Sequence, residues 1–279
     1  MPVPYDPAND SSLPPESRGT APGRDRMLGR RVLVVGAGQG DYQQEDQPIG
    51  IGRAISVLLG REGASVVASD CNLSAAEVTA KLVAAEGARA SALVADVSEP
   101  DSIEAMMGTA HQWLGGIDGV AYNVGIPGET GFEANTPEAW DATMSINLRG
   151  AMLTARAALR VLDPGSSVVF TSSIGALRPT GKKIAYESSK AALGALMRAV
   201  AFDGKERGIR ANVVMPGLID TGLGRSSTRV MPSRTTITVP LGRHGTGWEV
   251  AYGALFLLSN ESAYVTGQTL AIDGGRTTL

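Results

Sequence analysis

The chain is poor in the residues that carry thiol and metal chemistry. Cys71 is the only cysteine, so no intrachain disulfide can form, which fits a reducing compartment. The two histidines, His111 and His244, lie far apart in the sequence, so a histidine-based zinc site is not expected. No run of about 18 apolar residues is present, which argues against a transmembrane helix. The N-terminus lacks a basic start followed by an apolar stretch, so it does not read as a signal peptide, and a cytoplasmic protein is expected. Basic residues (25) do not outnumber acidic ones (28) and form no stripe, so nothing suggests a reader of nucleic acid. Aromatics are scarce, at 5%.

Glycine and small aliphatic residues are abundant. With 35 glycines and a Val/Ile/Leu/Ala-rich apolar fraction, the composition suits a parallel sheet covered by helices. Residues 1–29 are rich in Pro, Ser, Asp and Arg and lack periodicity. They are expected to form a flexible N-terminal arm, or an arm that reaches a neighbouring subunit. From Arg30 onward, strand-like runs at 31–35, 65–69, 90–95, 119–122, 167–171, 210–214 and 269–272 alternate with helical patterns. The helical patterns include two long ones at 137–162 and 185–206. The alternation predicts one α/β domain over residues 30–279: a doubly wound, Rossmann-type parallel sheet of seven strands, order 3-2-1-4-5-6-7, with helices on both faces.

In such a sheet, ligands bind beyond the C-terminal ends of the strands, so residues that directly follow strands are informative. Gly36-Ala37-Gly38-Gln39-Gly40 follows the first strand, and Gly50-Ile51-Gly52 opens the next helix. Glycines here permit a tight turn and close approach to a pyrophosphate, toward which a helix N-terminus points its N–H groups. Asp70 ends the second strand, about twenty residues past the start of that helix. A carboxylate there accepts hydrogen bonds from the adenosine ribose and repels the extra phosphate of NADP. Cys71 and Asn72 beside it offer no cation, so NAD is expected over NADP. The same aspartate could instead cap the helix that begins near Ser74.

The strongest pattern is Tyr186-Glu187-Ser188-Ser189-Lys190. On a helix, positions i and i+4 share a face, which brings the Lys190 ammonium toward the Tyr186 phenol. A nearby cation favours phenolate, so the tyrosine could exchange a proton with a substrate oxygen near neutral pH.

With these motifs, the chain from about Arg30 to Gly275 resembles the short-chain dehydrogenase/reductase family. That family opens its glycine loop with Gly, three residues, then Gly-Ile-Gly. Here about ten residues, 41–50, are inserted, so the pairing of Gly38, Gly40 and Gly50 with the family's glycines stays open. The insert is expected to be a solvated surface flap, or to fold over the cofactor and slow its release, with its acidic side chains pointing away. Tyr122-Asn123-Val124-Gly125 resembles the family's Asn-Asn-Ala-Gly, with Tyr122 and Val124 as departures.

The resemblance assigns cofactor contacts to Gly36, Gly38, Gly50, Ile51, Gly52 and Asp70, and to Asp96 and Val97 at the adenine. It extends them to Asn123, Gly125, Tyr186 and Lys190, and to Pro216, Gly217, Ile219 and Thr221 near the nicotinamide carboxamide. Thr266-Gly267-Gln268 and Asp273-Gly274-Gly275 resemble the family's closing segment. It implies a catalytic set of Asn147, Ser173, Tyr186 and Lys190. Tyr186 would be the acid/base and Lys190 would tune it. Ser173 (or its neighbour Ser172) would orient the reacting oxygen, and Asn147 would hold a water on a proton path.

The implied function is an NAD-dependent oxidoreductase that interconverts a small secondary alcohol, or a sugar hydroxyl, with its carbonyl. No metal is called for, and a homotetramer or dimer joined through the two long helices is implied. Ile126, Pro127, Ile174, Gly175, Lys183 and a mobile lid at 218–240 are candidate substrate contacts. Lys183 either faces the pocket and favours an anionic substrate, or faces solvent. Two other readings stand: a catalytically silent dinucleotide-binding sensor or scaffold, and a same-fold enzyme with retained cofactor, such as an epimerase.

Overall fold

A computed structural model describes residues 12–44, 46–230 and 238–279. The strands are β1 (Arg31–Val35), β2 (Ser65–Asp70), β3 (Ala90–Val94), β4 (Ile117–Tyr122), β5 (Leu162–Thr171), β6 (Arg210–Pro216), β7 (Ile219–Asp220), β8 (Gly245–Thr246) and β9 (Thr269–Ile272). The helices are α1 (Pro15–Arg18), α2 (Ile51–Arg61), α3 (Leu73–Ala85), α4 (Pro100–Leu114), α5 (Pro137–Met144), α6 (Gly150–Val161), α7 (Ile184–Gly204), α8 (Gly222–Val230) and α9 (Gly247–Leu258).

Seven strands form one parallel sheet in the order β3-β2-β1-β4-β5-β6-β9, which is the predicted order with β9 as the seventh strand. Side chains alternate across a strand, so each strand feeds both faces. On β1, Leu33 and Val35 join a core with α4, α6 and α7, whereas Val32 and Val34 join a second core with α2 and α9. The strand order reverses between β1 and β4, which opens a crevice at their C-terminal ends.

Three regions depart from expectation. The first is the arm. Residues 12–29 dock on the domain, and residues 1–11 lie outside the described residues. Leu13, Ala21 and Met27 are buried. The buried Glu62 carboxylate accepts the Arg24 and Arg26 N–H groups (2.9 and 3.1 Å) and the Arg26 guanidinium (2.6 Å). The Ser17 hydroxyl donates to Glu249 (2.8 Å), and Thr246 donates to the Ser17 carbonyl (2.7 Å). A few scattered apolar residues and one buried acid thus order a segment whose composition reads as loose.

The second departure is in the long helical pattern at 137–162, which is not one helix. A π-helical turn at Ser145–Arg149 separates α5 from α6, and β5 begins already at Leu162. Third, the expected lid is partly regular: β7 pairs with β8, and α8 follows β7. Residues 231–237 of that stretch lie outside the described residues.

Candidate active site

A cleft of about 570 Å³ opens beyond the strand ends at the β1/β4 reversal. Gly36, Gly38, Gly50, Ile51, Gly52, Asp70, Asp96, Val97, Asn123 and Gly125 all line it. So do Ser173, Tyr186, Lys190, Pro216, Gly217, Ile219 and Thr221. Of the catalytic and cofactor candidates only Asn147 stands behind this wall, fully buried; of the candidate substrate contacts, Ile126, Pro127 and Lys183 line the cleft, whereas Ile174 and Gly175 do not.

At one end, backbone forms the cleft. A Cβ on Gly52 would lie 1.9 Å from the Gly36 carbonyl oxygen, so α2 starts against the end of β1 with no side chain between them. Asn123 Nδ2 donates to the same carbonyl (3.2 Å). Such a bare cradle at a helix N-terminus suits a diphosphate, so the residues present fit a dinucleotide.

Asp70 Oδ2 accepts the Gly38 N–H (2.9 Å) and Oδ1 accepts the Asn72 N–H (3.0 Å). The cap of α3 is Asn72, whose side chain accepts the Ala75 N–H, so Asp70 does not serve as that cap. The nearby cation Arg53 is tied to Thr79 and the Ala75 carbonyl. Asp96 accepts the N–H and hydroxyl of Ser98 (2.8 and 2.7 Å), which hold its carboxyl below the ordinary carboxylate range. Thr221 caps the start of α8, accepting the Gly224 N–H (3.1 Å), and the Gly217 N–H donates to Ile272 (2.9 Å).

The other end gathers the reactive side chains. Lys190 is 4% exposed. Its ammonium lies 5.8 Å from the Tyr186 ring centre, on the same face of α7. It donates to the carbonyls of Thr171 (3.0 Å) and Val124 (3.1 Å), which among the described residues leaves the third of its N–H donors uncommitted. Burial pulls its pKa down to about 8. Gly125 makes room for it, since a Cβ there would sit 2.9 Å from Nζ.

Of the two serines, Ser172 spends its hydroxyl on the Lys190 carbonyl (2.7 Å). Among the described residues Ser173 only accepts, from the Gly175 N–H (3.2 Å). Its proton therefore remains available toward the cleft. Lys183 also lines the cleft, with its ammonium bonded to the Gly128 carbonyl (2.9 Å).

Asn147 lies in the π-helical turn. It accepts the Ile126 N–H (2.8 Å) and donates to the Ile126 carbonyl (3.0 Å) and to Ser189 Oγ (3.1 Å). Ser189 in turn donates to the Tyr186 carbonyl (2.7 Å). Asn147 thus joins the loop after β4 to the helix that carries Tyr186.

Three supporting residues escaped the sequence reading. The buried Tyr122 hydroxyl donates to the Ile146 carbonyl (2.9 Å) inside the π-helical turn, and burial pushes its pKa up, which keeps it a donor. Its signal was visible as the departure from the family's first asparagine. Glu187 accepts the Thr180 N–H and hydroxyl (2.8 and 2.6 Å) and the Gly181 N–H (3.2 Å), fixing the loop before α7. Glu187 and Ser189 occupy the unspecified positions between Tyr186 and Lys190, where pattern gives no cue.

This arrangement can hold a dinucleotide at one end and move a proton at the other. The model of the family described as enoyl-(acyl carrier protein) reductase matches residues 47–277, beginning inside the insertion. The chain is 35% identical to 2-(S)-hydroxypropyl-CoM dehydrogenase 3 of Xanthobacter autotrophicus, over 91% of this chain and 99% of that one. It is 34% identical to an inactive 2-(S)-hydroxypropyl-CoM dehydrogenase 2 of the same organism, over 78% and 97%. The crystal structure of levodione reductase superposes with a TM-score of 0.82 and 32% identity, covering 90% of this chain and 98% of that one.

The chain belongs to the short-chain dehydrogenase/reductase family, whose members use nicotinamide cofactors. It is thereby an oxidoreductase of the class acting on alcohols and carbonyls. Among the described residues no helix is long and apolar enough to cross a membrane, and no cluster of three metal-ligating side chains occurs.

Proposed function

We propose that this protein is an NAD-dependent oxidoreductase that interconverts a small secondary alcohol, or a sugar hydroxyl, with its carbonyl, using Tyr186 as acid/base. The observation that carries this reading is the convergence of Tyr186, Lys190 and Ser173 on one end of a cleft whose other end is a bare glycine cradle. The bound nicotinamide supplies the two-electron chemistry. The backbone at Gly36, Gly38, Gly52 and Gly125 would hold the dinucleotide, with Asp70 at the adenosine ribose.

Tyr186 takes the substrate hydroxyl proton in oxidation and returns it in reduction. The Lys190 ammonium, held by Thr171 and Val124, favours the phenolate form through its charge. Ser173 donates its hydroxyl to the reacting oxygen and steadies charge that develops there. Asn147 fixes the wall behind them through Ile126 and Ser189.

The preference for NAD rests on Asp70, since a second phosphate would meet its carboxylate while Arg53 is committed to α3. Exposed Met152 on α6 and Phe202 on α7 fit the expected assembly of like copies through those helices.

The test is a panel of secondary alcohols, sugars and hydroxy acids with NAD and NADP, followed at the absorbance of the reduced cofactor. Turnover favouring NAD is expected. Tyr186→Phe should lower kcat by about 10²–10⁴-fold while cofactor binding is kept. A full rate in Tyr186→Phe would refute the assignment of the acid/base. Tight binding without turnover on the whole panel would favour a silent binder like the inactive relative.

A further inference from the structure

The insertion behaves as part of the cleft rather than as a free flap. Its two ends are pinned together, since Gln39 Oε1 accepts the Gly50 N–H (2.8 Å). Inside it, the Tyr42 N–H donates to Gln47 Oε1 (3.1 Å), and Gln47 Nε2 donates to the Gly40 carbonyl (2.7 Å). Asp41 and Asp46 are exposed, so their carboxylates avoid the cleft, whereas Tyr42 and Gln47 line it.

The far side of the insertion touches α8. Gln44 Nε2 donates to the Gly222 carbonyl (3.1 Å), and Arg225 Nη1 donates to the Asp46 carbonyl (3.0 Å). Arg225 is itself gripped by both oxygens of Asp220 (2.7 and 2.8 Å). The Tyr42 ring fills the space over Gly222, where a Cβ would come within 2.5 Å of it. Its hydroxyl lies 3.3 Å from where a Gly40 Cβ would be. The ring therefore bridges the glycine loop, where the diphosphate cradle begins, and the start of α8.

Among the described residues the Tyr42 hydroxyl has no hydrogen-bond partner. Burial pushes its pKa up, so at neutral pH it is a proton-bearing donor. A donor without a partner, beside a cradle suited to an anion, is matched by a phosphate oxygen.

We propose that the insertion is a cofactor-binding strap: it spans the cleft from the glycine loop to α8, and its Tyr42 hydroxyl donates to the diphosphate of the bound dinucleotide. This rests on the dinucleotide reading above. It adds a binding residue outside the glycine loop and predicts slow cofactor exchange, because the contacts to α8 must part before the dinucleotide can leave.

The test is stopped-flow release of the reduced dinucleotide that binds more tightly, chased by excess oxidised cofactor, with ADP-ribose and adenosine titrated as competitors. Tyr42→Phe removes only the hydroxyl. Its release rate should rise about tenfold, the size of one hydrogen bond to a charged group. ADP-ribose, which keeps the diphosphate but lacks nicotinamide, should weaken alike, and adenosine should not change. Gln44→Ala should speed release without altering the adenosine affinity.

A second variant lacking residues 41–49 should release faster still; if it fails to fold, the two point variants still decide. Release from Tyr42→Phe within twofold of wild type would overturn the proposal alone, as would weakening confined to the full cofactor with ADP-ribose untouched. A wild type that binds neither reduced cofactor nor ADP-ribose would overturn both this proposal and the oxidoreductase reading.

Discussion

Gly52→Ala is a direct test of the bare cradle. The new Cβ would begin 1.9 Å from the Gly36 carbonyl oxygen and 2.8 Å from Asn123 Nδ2, and contacts under 3.0 Å are not tolerated. The nearest obstacle is backbone, so no rotamer change relieves it, and the start of α2 must retreat from β1 by at least about 1 Å. Hydrogen bonds of ordinary length do not survive a shift of that size. If two N–H donors at the helix start serve a diphosphate, losing most of both costs about 3 kcal/mol, or about 100-fold in affinity.

Overpacking alone costs about 1–3 kcal/mol of stability, partly offset by the better helix propensity of alanine. In a chain of this size that lowers Tm by several degrees, roughly 5 °C. Fluorescence titration with reduced cofactor at 20 °C separates the two effects. A variant whose affinity stays within threefold of wild type, whatever its Tm, would refute the idea that the closeness of α2 to β1 forms the binding surface.

Two further predictions concern buried charges. Burial lowers the Lys190 pKa to about 8 from 10.5, so the cofactor-free enzyme should lose this ammonium as pH rises through about 8. A pH profile of kcat/KM for the cofactor should fall on that limb, and Lys190→Arg should move the limb out of range. Over the same window the native state binds fewer protons than the unfolded one. The stability of wild type relative to Lys190→Met should therefore increase between about pH 8 and 10.5, by about 3 kcal/mol in all, measurable by denaturant unfolding. Burial works against the Glu62 carboxylate, but Arg26 and the two N–H donors outweigh it and hold its pKa low. Glu62→Gln should cost about 3 kcal/mol and open residues 12–29 to proteolysis. The wild-type advantage should be full above the ordinary glutamate pKa of about 4.3 and vanish as pH falls through the lower folded value.

What the sequence disclosed, and what it hid, divide by the range of the interactions involved. The β1 run, the Gly50-Ile51-Gly52 helix start and the Tyr186/Lys190 pair are set by neighbours within about one helical turn or one strand, so spacing alone places them. The sheet order follows because each strand–helix unit repeats that local logic. Docking of residues 12–29 depends instead on Glu62 and Glu249, which are distant in sequence, and composition cannot register two carboxylates that wait on other elements. The π-helical turn is similar. A helix-period pattern runs unbroken from Pro137, but Tyr122 on β4 supplies the hydroxyl that takes up the Ile146 carbonyl, and Gly150 leaves room for it.

The insertion enters the cleft without separating the elements that form it. The chain leaves the glycine loop at Gln39 and returns at Gly50, and one hydrogen bond closes those two points. For a loop closed at its base, extra length costs little, only about 0.6 kcal/mol for each doubling. The strand before it and the helix after it meet directly at the Gly36–Gly52 contact, so the insertion does not lie between them. Gln44 and Asp46 tie the strap to the start of α8, while Ile49 packs against the start of α9. Helix α8 follows the cleft residues Ile219 and Thr221, so the insertion is tied to that wall of the cleft as well as to the glycine loop. On the strap proposal, a cofactor that enters under it displaces both strap and helix, and Tyr186, Lys190 and Ser173, on α7 and just after β5, are expected to keep their places.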